Sequence, residues 1–124
     1  METEPLLREA IQIGPVAIDD GPLFLQLWHY LPANLKSHIF YVADPDAQAA
    51  FAGSDNIDLN FVVAQPWFGF PIRSYGSLVY QGARFRVYHS TTRWAWLPHQ
   101  LVLDGFHVTV LGTVADRSIL EAGL

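Results

Sequence analysis

The sequence predicts a mainly β or α+β domain, in which an antiparallel sheet curls into a partly open barrel or roll beside two or three short helices. Three observations lead to this prediction. Hydrophobic residues make up 51% of the 124-residue chain and charged residues 15%, which excludes a disordered protein. Several segments alternate with a period of two, and short turn signals separate them. Without repeats or linkers, we expect residues 1–124 to form a single domain.

The first part of the chain predicts a short helix followed by strands. Thr3 and Pro5 are typical of a helix start, and the apolar residues that follow at helical spacing end before Gly14. Residues 23–31 alternate leucines with aromatic and polar side chains, which predicts a strand. A second short strand is expected at residues 38–42.

The middle of the chain predicts a second helix and a further strand. Asp44 supplies an N-cap and Pro45 a first-turn proline for a helix over residues 47–52, which Gly53 closes. Residues 57–64 are rich in apolar and β-branched side chains and are followed by a proline. They are therefore expected to form a strand.

The last third predicts two consecutive hairpins, because Gln81-Gly82 and Asp104-Gly105 each separate two apolar segments. The predicted strand pairs are residues 75–80 with 83–89 and residues 94–103 with 106–111. The segment after them, residues 116–122, is expected to be a terminal helical turn.

Charge is distributed unevenly along the chain, whose net charge is -5. Residues 59–103 contain no acidic residue, and their basic residues are Arg73, Arg84, Arg86 and Arg93. In the first predicted hairpin, Arg84, Arg86 and Tyr88 share one strand face, with Arg73 and Arg93 just beyond its ends. Arginine and tyrosine are frequent interface anchors, so this face is a candidate recognition surface for carboxylates or phosphates. The alternative is an ordinary solvated face that acids from the first 58 residues neutralise.

A second candidate surface is the aromatic segment between Pro66 and Pro71. It contains Trp67, Phe68 and Phe70, and its prolines predict a loop rather than a helix or a central strand. The three rings either fill the core or are presented to a partner.

Alternation places three of the five histidines, His29, His89 and His99, on apolar strand faces. One hypothesis is that they converge as a metal or acid–base cluster, with Trp94 and Trp96 forming the wall of a ligand pocket. The alternative is three separate histidines that bond backbone carbonyls in the core. Their spacing matches no compact ligand motif, and the chain has no cysteine, so we predict neither a metal nor a cofactor.

Several function classes are disfavoured by composition. A pI of about 5.3 and a single lysine argue against binding to nucleic acid or to a membrane surface. We see no apolar run long enough to span a membrane and no secretory signal, so a cytoplasmic location is expected.

The sequence thus leads to two functional hypotheses. The first is a non-enzymatic protein-interaction module, accessory or inhibitor-like, that uses the arginine face and the aromatic segment to bind a protein partner or a second copy as a homodimer. The second is a small-ligand-binding barrel or a modest acid–base enzyme with an inward histidine cluster.

Overall fold

A six-stranded mixed sheet with helices on both faces forms the framework of the protein, as described by a computed structural model. The structure describes residues 5–54, 56–80, 84–92 and 95–123. The strands in these ranges are β1 (Val16–Ile18), β2 (Ile39–Ala43), β3 (Ile72–Ser74), β4 (Phe85–Ser90), β5 (His107–Val114) and β6 (Arg117–Gly123). The helices are α1 (Pro5–Ile11), α2 (Gly21–Tyr30), α3 (Ala33–Lys36), α4 (Pro45–Ala52), α5 (Asn56–Phe68), α6 (Tyr75–Tyr80) and α7 (Leu97–Leu103).

The sheet has the strand order β3-β2-β1-β4-β6-β5. The first four strands in this order run parallel, whereas β6 is antiparallel to both of its neighbours. The expected combination of helices and sheet is present, but the prediction of a curled antiparallel barrel is wrong. The sheet is open, with β3 and β5 at its edges. Most of its strand pairs are parallel, and parallel strands need long crossover connections that short turns cannot provide.

Burial explains the parallel arrangement. Every residue of β1 and β2 is buried, because helices cover both faces of these central strands. Helices α1, α2 and α5 pack on one face around Phe24 and Tyr41, and α6 and α7 pack on the other around Trp96 and Leu101. Strands buried in this way are continuously apolar and carry no alternation.

The predicted strand at residues 23–31 is helix α2. Asp20 caps the helix by accepting a hydrogen bond from the Leu23 amide, and Pro22 lies in the first turn. The leucines of this segment fit two spacings: they occupy alternate positions, as in a strand, and Leu23, Leu27 and Leu31 are also four residues apart, as on one side of a helix. Leu23, Leu27 and Leu31 are buried on one side, and Leu25 is exposed.

The predicted strand at residues 57–64 is also helical, as part of α5. Asp58 and Phe61 lie one turn apart and face the sheet. Pro66 falls inside the last turn of α5 rather than ending a strand, and Gly69 then ends the helix in a left-handed conformation. The expected loop at residues 66–71 is thus helical as far as Phe68.

Neither predicted hairpin forms. Residues 75–80 are helix α6, and the proposed turn at Gln81-Gly82 lies outside the described residues. Asp104-Gly105 ends helix α7, because the amides of Gly105 and Phe106 bond the carbonyls of Val102 and Leu101 in a C-terminal capping pattern. An Asp-Gly pair suits a helix end as well as a hairpin turn, and here the helix end is the outcome.

The hairpin that does form joins β5 to β6 through Ala115, which has a positive φ of 56°. Residues 116–122, predicted as a helical turn, are therefore mostly strand β6. The predictions for α1, β2, α4, β4 and β5 are confirmed, with ends that differ by a few residues. Within the described residues, no helix is long and apolar enough to cross a membrane.

Candidate functional site

Three of the four arginines in the acid-free segment meet at one cleft. The cavity has a volume of about 390 Å³ and lies where the parallel strands begin. We call it the arginine cleft, and its lining includes Phe40, Arg73, Arg84, Phe85, Arg86 and Glu121. Parallel pairing explains the convergence, because the register sets the first residues of β1 beside Ile39 in β2 and Arg86 in β4.

Arg73 reaches the cleft from the edge strand β3. Its guanidinium carbon lies 4.1 Å from the centre of the Phe40 ring. Arginine stacks on an aromatic face and keeps the N–H groups in its plane free for a ligand. No carboxylate pairs with Arg73 within the described residues.

Arg84 and Arg86 share a single carboxylate. Glu121 of β6 lies 3.4 Å from Nη1 of Arg84 and 3.6 Å from Nη2 of Arg86. The side chain of Arg84 is largely exposed, whereas that of Arg86 is mostly buried. The buried Nε of Arg86 has no hydrogen-bond partner in the described part of the chain. A buried donor without an acceptor is costly, so Glu121 leaves the hydrogen-bonding capacity of Arg86 partly unused.

A different arrangement occupies the opposite end of the strands. From β1 the chain first adds β2 and β3 on one side and then crosses to the other side to form β4. Open α/β sheets commonly bind ligands at the carboxyl ends of the strands at such a switch point. Asp19 follows β1 and is 1% exposed. It accepts a hydrogen bond from the Ser90 amide, and its Oδ2 lies 2.6 Å from Nδ1 of His89.

The two partners of this pair perturb each other. Burial raises the pKa of the Asp19 carboxyl, although the hydrogen bonds from His89 and Ser90 oppose this effect. The hydrogen bond to Asp19 raises the pKa of His89. The His89 side chain remains 25% exposed, so its ring lies between a buried carboxylate and solvent.

A second buried carboxylate, Asp58 of α5, binds the helices to the sheet. It accepts hydrogen bonds from the Tyr41 hydroxyl, from the Asp44 amide at 2.8 Å and from Nε1 of Trp96 at 2.8 Å. Its own amide donates to Gln48. Burial raises the pKa of Asp58, and these donors oppose the rise. Because all of these hydrogen-bond partners lie inside the protein, we assign Asp58 a structural role.

The remaining predicted residues do not form one site. Tyr88 is buried against α1 and α2 and cannot share an exposed face with Arg84. Arg93 and Trp94 lie outside the described residues, and Trp96 is a core residue bound to Asp58.

The expected histidine cluster is absent among the described residues, where no three potential metal ligands come together. His29 and His99 are exposed on helices, against Tyr30 and Phe51 respectively, because the segments that carry them are not strands. Of these three histidines, only His89 lies on a strand, as predicted, and it contacts Asp19.

Trp67 and Phe68 are exposed at the end of α5, by 84% and 66%. Phe70 instead packs on Phe24, Trp28 and Phe61.

Sequence reasoning missed Asp19, Phe40 and Glu121. A signal for Asp19 was present, since it directly follows a short apolar segment and so marks the end of a buried strand. No local signal identified Phe40 or Glu121, which reach the cleft only through long-range pairing. Comparisons of this chain with protein-family models, with curated proteins and with solved structures found no match.

Proposed function

We propose that this protein is a non-enzymatic binding protein whose arginine cleft takes a small organic anion. The observation that carries the proposal is that Arg73, Arg84 and Arg86 line one cavity against a single carboxylate, Glu121, in a chain whose net charge is -5. Positive charge is therefore concentrated where an anion would bind.

The lining also indicates the shape of the ligand. Phe40, Leu78 and Phe85 supply apolar surface, and the arginines supply donors. A volume of about 390 Å³ suits a ligand of small-molecule size. The best fit is a carboxylate or phosphate attached to an apolar, preferably aromatic, body, because arginine binds both anions through paired hydrogen bonds.

The test uses naphthalene-1-carboxylate as the probe and its neutral amide as the matched ligand. Calorimetry is expected to detect the carboxylate and to find binding of the amide at least about tenfold weaker, since a charge-assisted hydrogen bond contributes roughly 1.5–3 kcal/mol. Titration with inorganic phosphate separates recognition of the anion alone from recognition of the aromatic body. Equal binding of the acid and its amide would overturn the proposal.

Variants of the cleft sharpen the test. Arg73→Met and Arg86→Met should each weaken binding of the carboxylate about tenfold. Lys36→Met removes the same charge outside the cleft, where Lys36 lies over the Trp28 ring, and should leave binding unchanged. Arg73 is exposed, so its variant remains informative if Arg86→Met fails to fold. Unchanged affinity in folded Arg73→Met would contradict the assignment.

Glu121→Gln provides a test in the opposite direction. The carboxylate competes with any anionic ligand for Arg84 and Arg86. Its replacement by an isosteric amide should tighten binding of the naphthalene carboxylate several-fold. If the arginines had only a structural role, the affinity for the carboxylate would not increase.

A second candidate function is general acid–base catalysis at the carboxyl ends of the strands, favoured by the bond between Asp19 and His89. Asp19 would fix the ring so that Nε2 of His89 accepts a proton from water as that water attacks an ester carbonyl, and returns it to the leaving oxygen. With p-nitrophenyl acetate as the probe, His89→Gln should remove most of any hydrolysis above background, whereas His107→Gln should not. Equal rates in both variants would exclude this function for His89.

A further inference from the structure

Helix α5 is apolar on two sides. One side, which includes Ile57, Phe61 and Ala64, faces the sheet or helix α2. The opposite side carries a second apolar stripe at helical spacing, formed by Leu59, Val62, Val63, Pro66 and Trp67. All five of these residues are exposed. A helix that is apolar around its circumference is normally buried on all sides, so this stripe lacks a partner.

The same side of the helix bears no charge. The only ionisable residue of α5 is Asp58, and it is fully buried. The exposed polar residues of α5 are the uncharged Asn56, Asn60 and Gln65. Two copies of a chain with a net charge of -5 repel each other, and an uncharged face is where they can approach without opposing carboxylates.

The stripe carries one large projecting side chain. Trp67 is 84% exposed and projects from the last turn of α5. The apolar groove of about 390 Å³ lies on the other side of the helix, between α5 and α2, and its lining includes Leu25, Ile57, Phe61, Ala64, Phe68 and Phe70. A twofold interface needs a surface that is complementary to itself, and two antiparallel α5 helices that cross at Val63 set Trp67 of each copy beside Leu59 of the other.

We propose that a second copy of this chain covers the α5 stripe, so that two antiparallel α5 helices pack across a twofold axis near Val63 and Trp67 of each copy packs on Leu59 of the other. Trp67 alone offers roughly 200 Å² of aromatic surface, because a buried aromatic side chain covers 150–250 Å². A standard interface buries about 800 Å² on each partner, and the exposed aliphatic residues of the stripe extend the contact toward this size. The interface is independent of the arginine cleft, since no residue of the stripe lines that cleft.

Sedimentation of the full chain tests the proposal. The wild-type protein should be a dimer, and Val63→Lys should weaken dimerisation about 30-fold or more by placing a charge at the centre of the interface. The matched control is Val102→Lys on α7, since Val63 and Val102 are exposed to similar extents, 63% and 60%. Circular dichroism and thermal melts verify that both variants fold.

A cysteine cross-link gives an independent readout, because the natural chain has no cysteine. A residue close to a twofold axis lies near its own copy, so oxidised Val63→Cys should form a covalent dimer and oxidised Val102→Cys should not. A wild-type monomer at high concentration would overturn the proposal. So would a dimer that survives Val63→Lys and is lost in Val102→Lys, which would place the contact near the exposed edge strand β5.

Discussion

Asp19 holds His89 at the end of the parallel strands, and this bond makes the protonation of one histidine sensitive to one buried carboxyl. The hydrogen bond to Asp19 raises the pKa of His89. We predict that the ring of His89 titrates above the usual pH range of histidine, and that Asp19→Asn lowers its pKa because the amide carries no charge. Ring resonances followed by NMR during a pH titration measure both values. A pKa of His89 that is unaffected by Asp19→Asn would refute the coupling.

The same shift predicts how stability depends on pH. The folded-state pKa of His89 is raised above its unfolded value, so the pair stabilises the fold fully below the unfolded pKa. This contribution is lost as the pH rises through the folded-state pKa. Urea unfolding at about pH 6 and about pH 8 should therefore show a larger loss of stability for the wild type than for His89→Gln, over the range where histidine titrates.

The Asp58 network predicts an asymmetry between its acceptor and its donors. Asp58→Ala leaves the Tyr41 hydroxyl, the Trp96 indole and the Asp44 amide without their acceptor and should destabilise the protein by about 3 kcal/mol or more. Tyr41→Phe removes one donor from a carboxylate that keeps its others, so about 1 kcal/mol is expected. Urea denaturation compares the two variants. Equal losses would mean that packing, and not the shared acceptor, dominates.

At the scale of the element, close packing of α2 on α5 depends on a glycine. A Cβ at Gly21 would lie 2.3 Å from Cγ2 of Ile57 and 2.9 Å from Cε2 of Phe61. Gly21→Ala should therefore cost about 1–3 kcal/mol through overpacking. Gly76→Ala in α6 is the control, because a Cβ there meets nothing within 4 Å. It should stabilise the helix by about 0.4–1 kcal/mol. Thermal melts measure the stability of both variants, and an equal loss of stability in the two would contradict this difference.

Elements whose ends carry unambiguous capping residues could be predicted from the sequence. Elements whose apolar residues fit both strand and helix spacing could not. Asp44, Pro45 and Gly53 identified α4, since capping residues act locally. The leucines of α2 fit both strand and helix spacing, and only burial against the sheet decides between them. Asp20-Gly21-Pro22 is equally typical of a turn, but in the structure Asp20 caps α2, and Gly21 and Pro22 begin it.

The candidate site was predictable in part for a related reason. The acid-free segment identified Arg73, Arg84 and Arg86 from composition alone, and the structure brings them to one cavity. The predicted reason for their proximity, a hairpin, was wrong, because parallel strands separated by helices align them instead. Glu121 enters from the far end of the chain through the pairing of β4 with β6, which no short-range pattern encodes.

At the scale of the whole molecule, charge and apolar surface are segregated. The acidic chain concentrates arginines at the end of the sheet where the parallel strands begin, and it leaves α5 uncharged on its outer side. Sequence reasoning expected both an arginine surface and a homodimer, but assigned them to one hairpin and one loop. The arginine cleft and the α5 stripe have no residue in common, so we expect the proposed ligand binding and the proposed self-association to be separable by mutation.

Self-association also predicts that thermal stability depends on protein concentration. A dimer that dissociates on unfolding gains stability by mass action, about 1.4 kcal/mol for each tenfold rise in concentration. For two chains of 124 residues, this corresponds to a rise in Tm of about 3 °C per tenfold step. Differential scanning fluorimetry across two such steps should show the rise in the wild type and in Val102→Lys, and a constant Tm in Val63→Lys. A wild-type Tm that is independent of concentration would be evidence against a dimer linked to folding, and Arg73→Met should behave like the wild type because the cleft lies outside the interface.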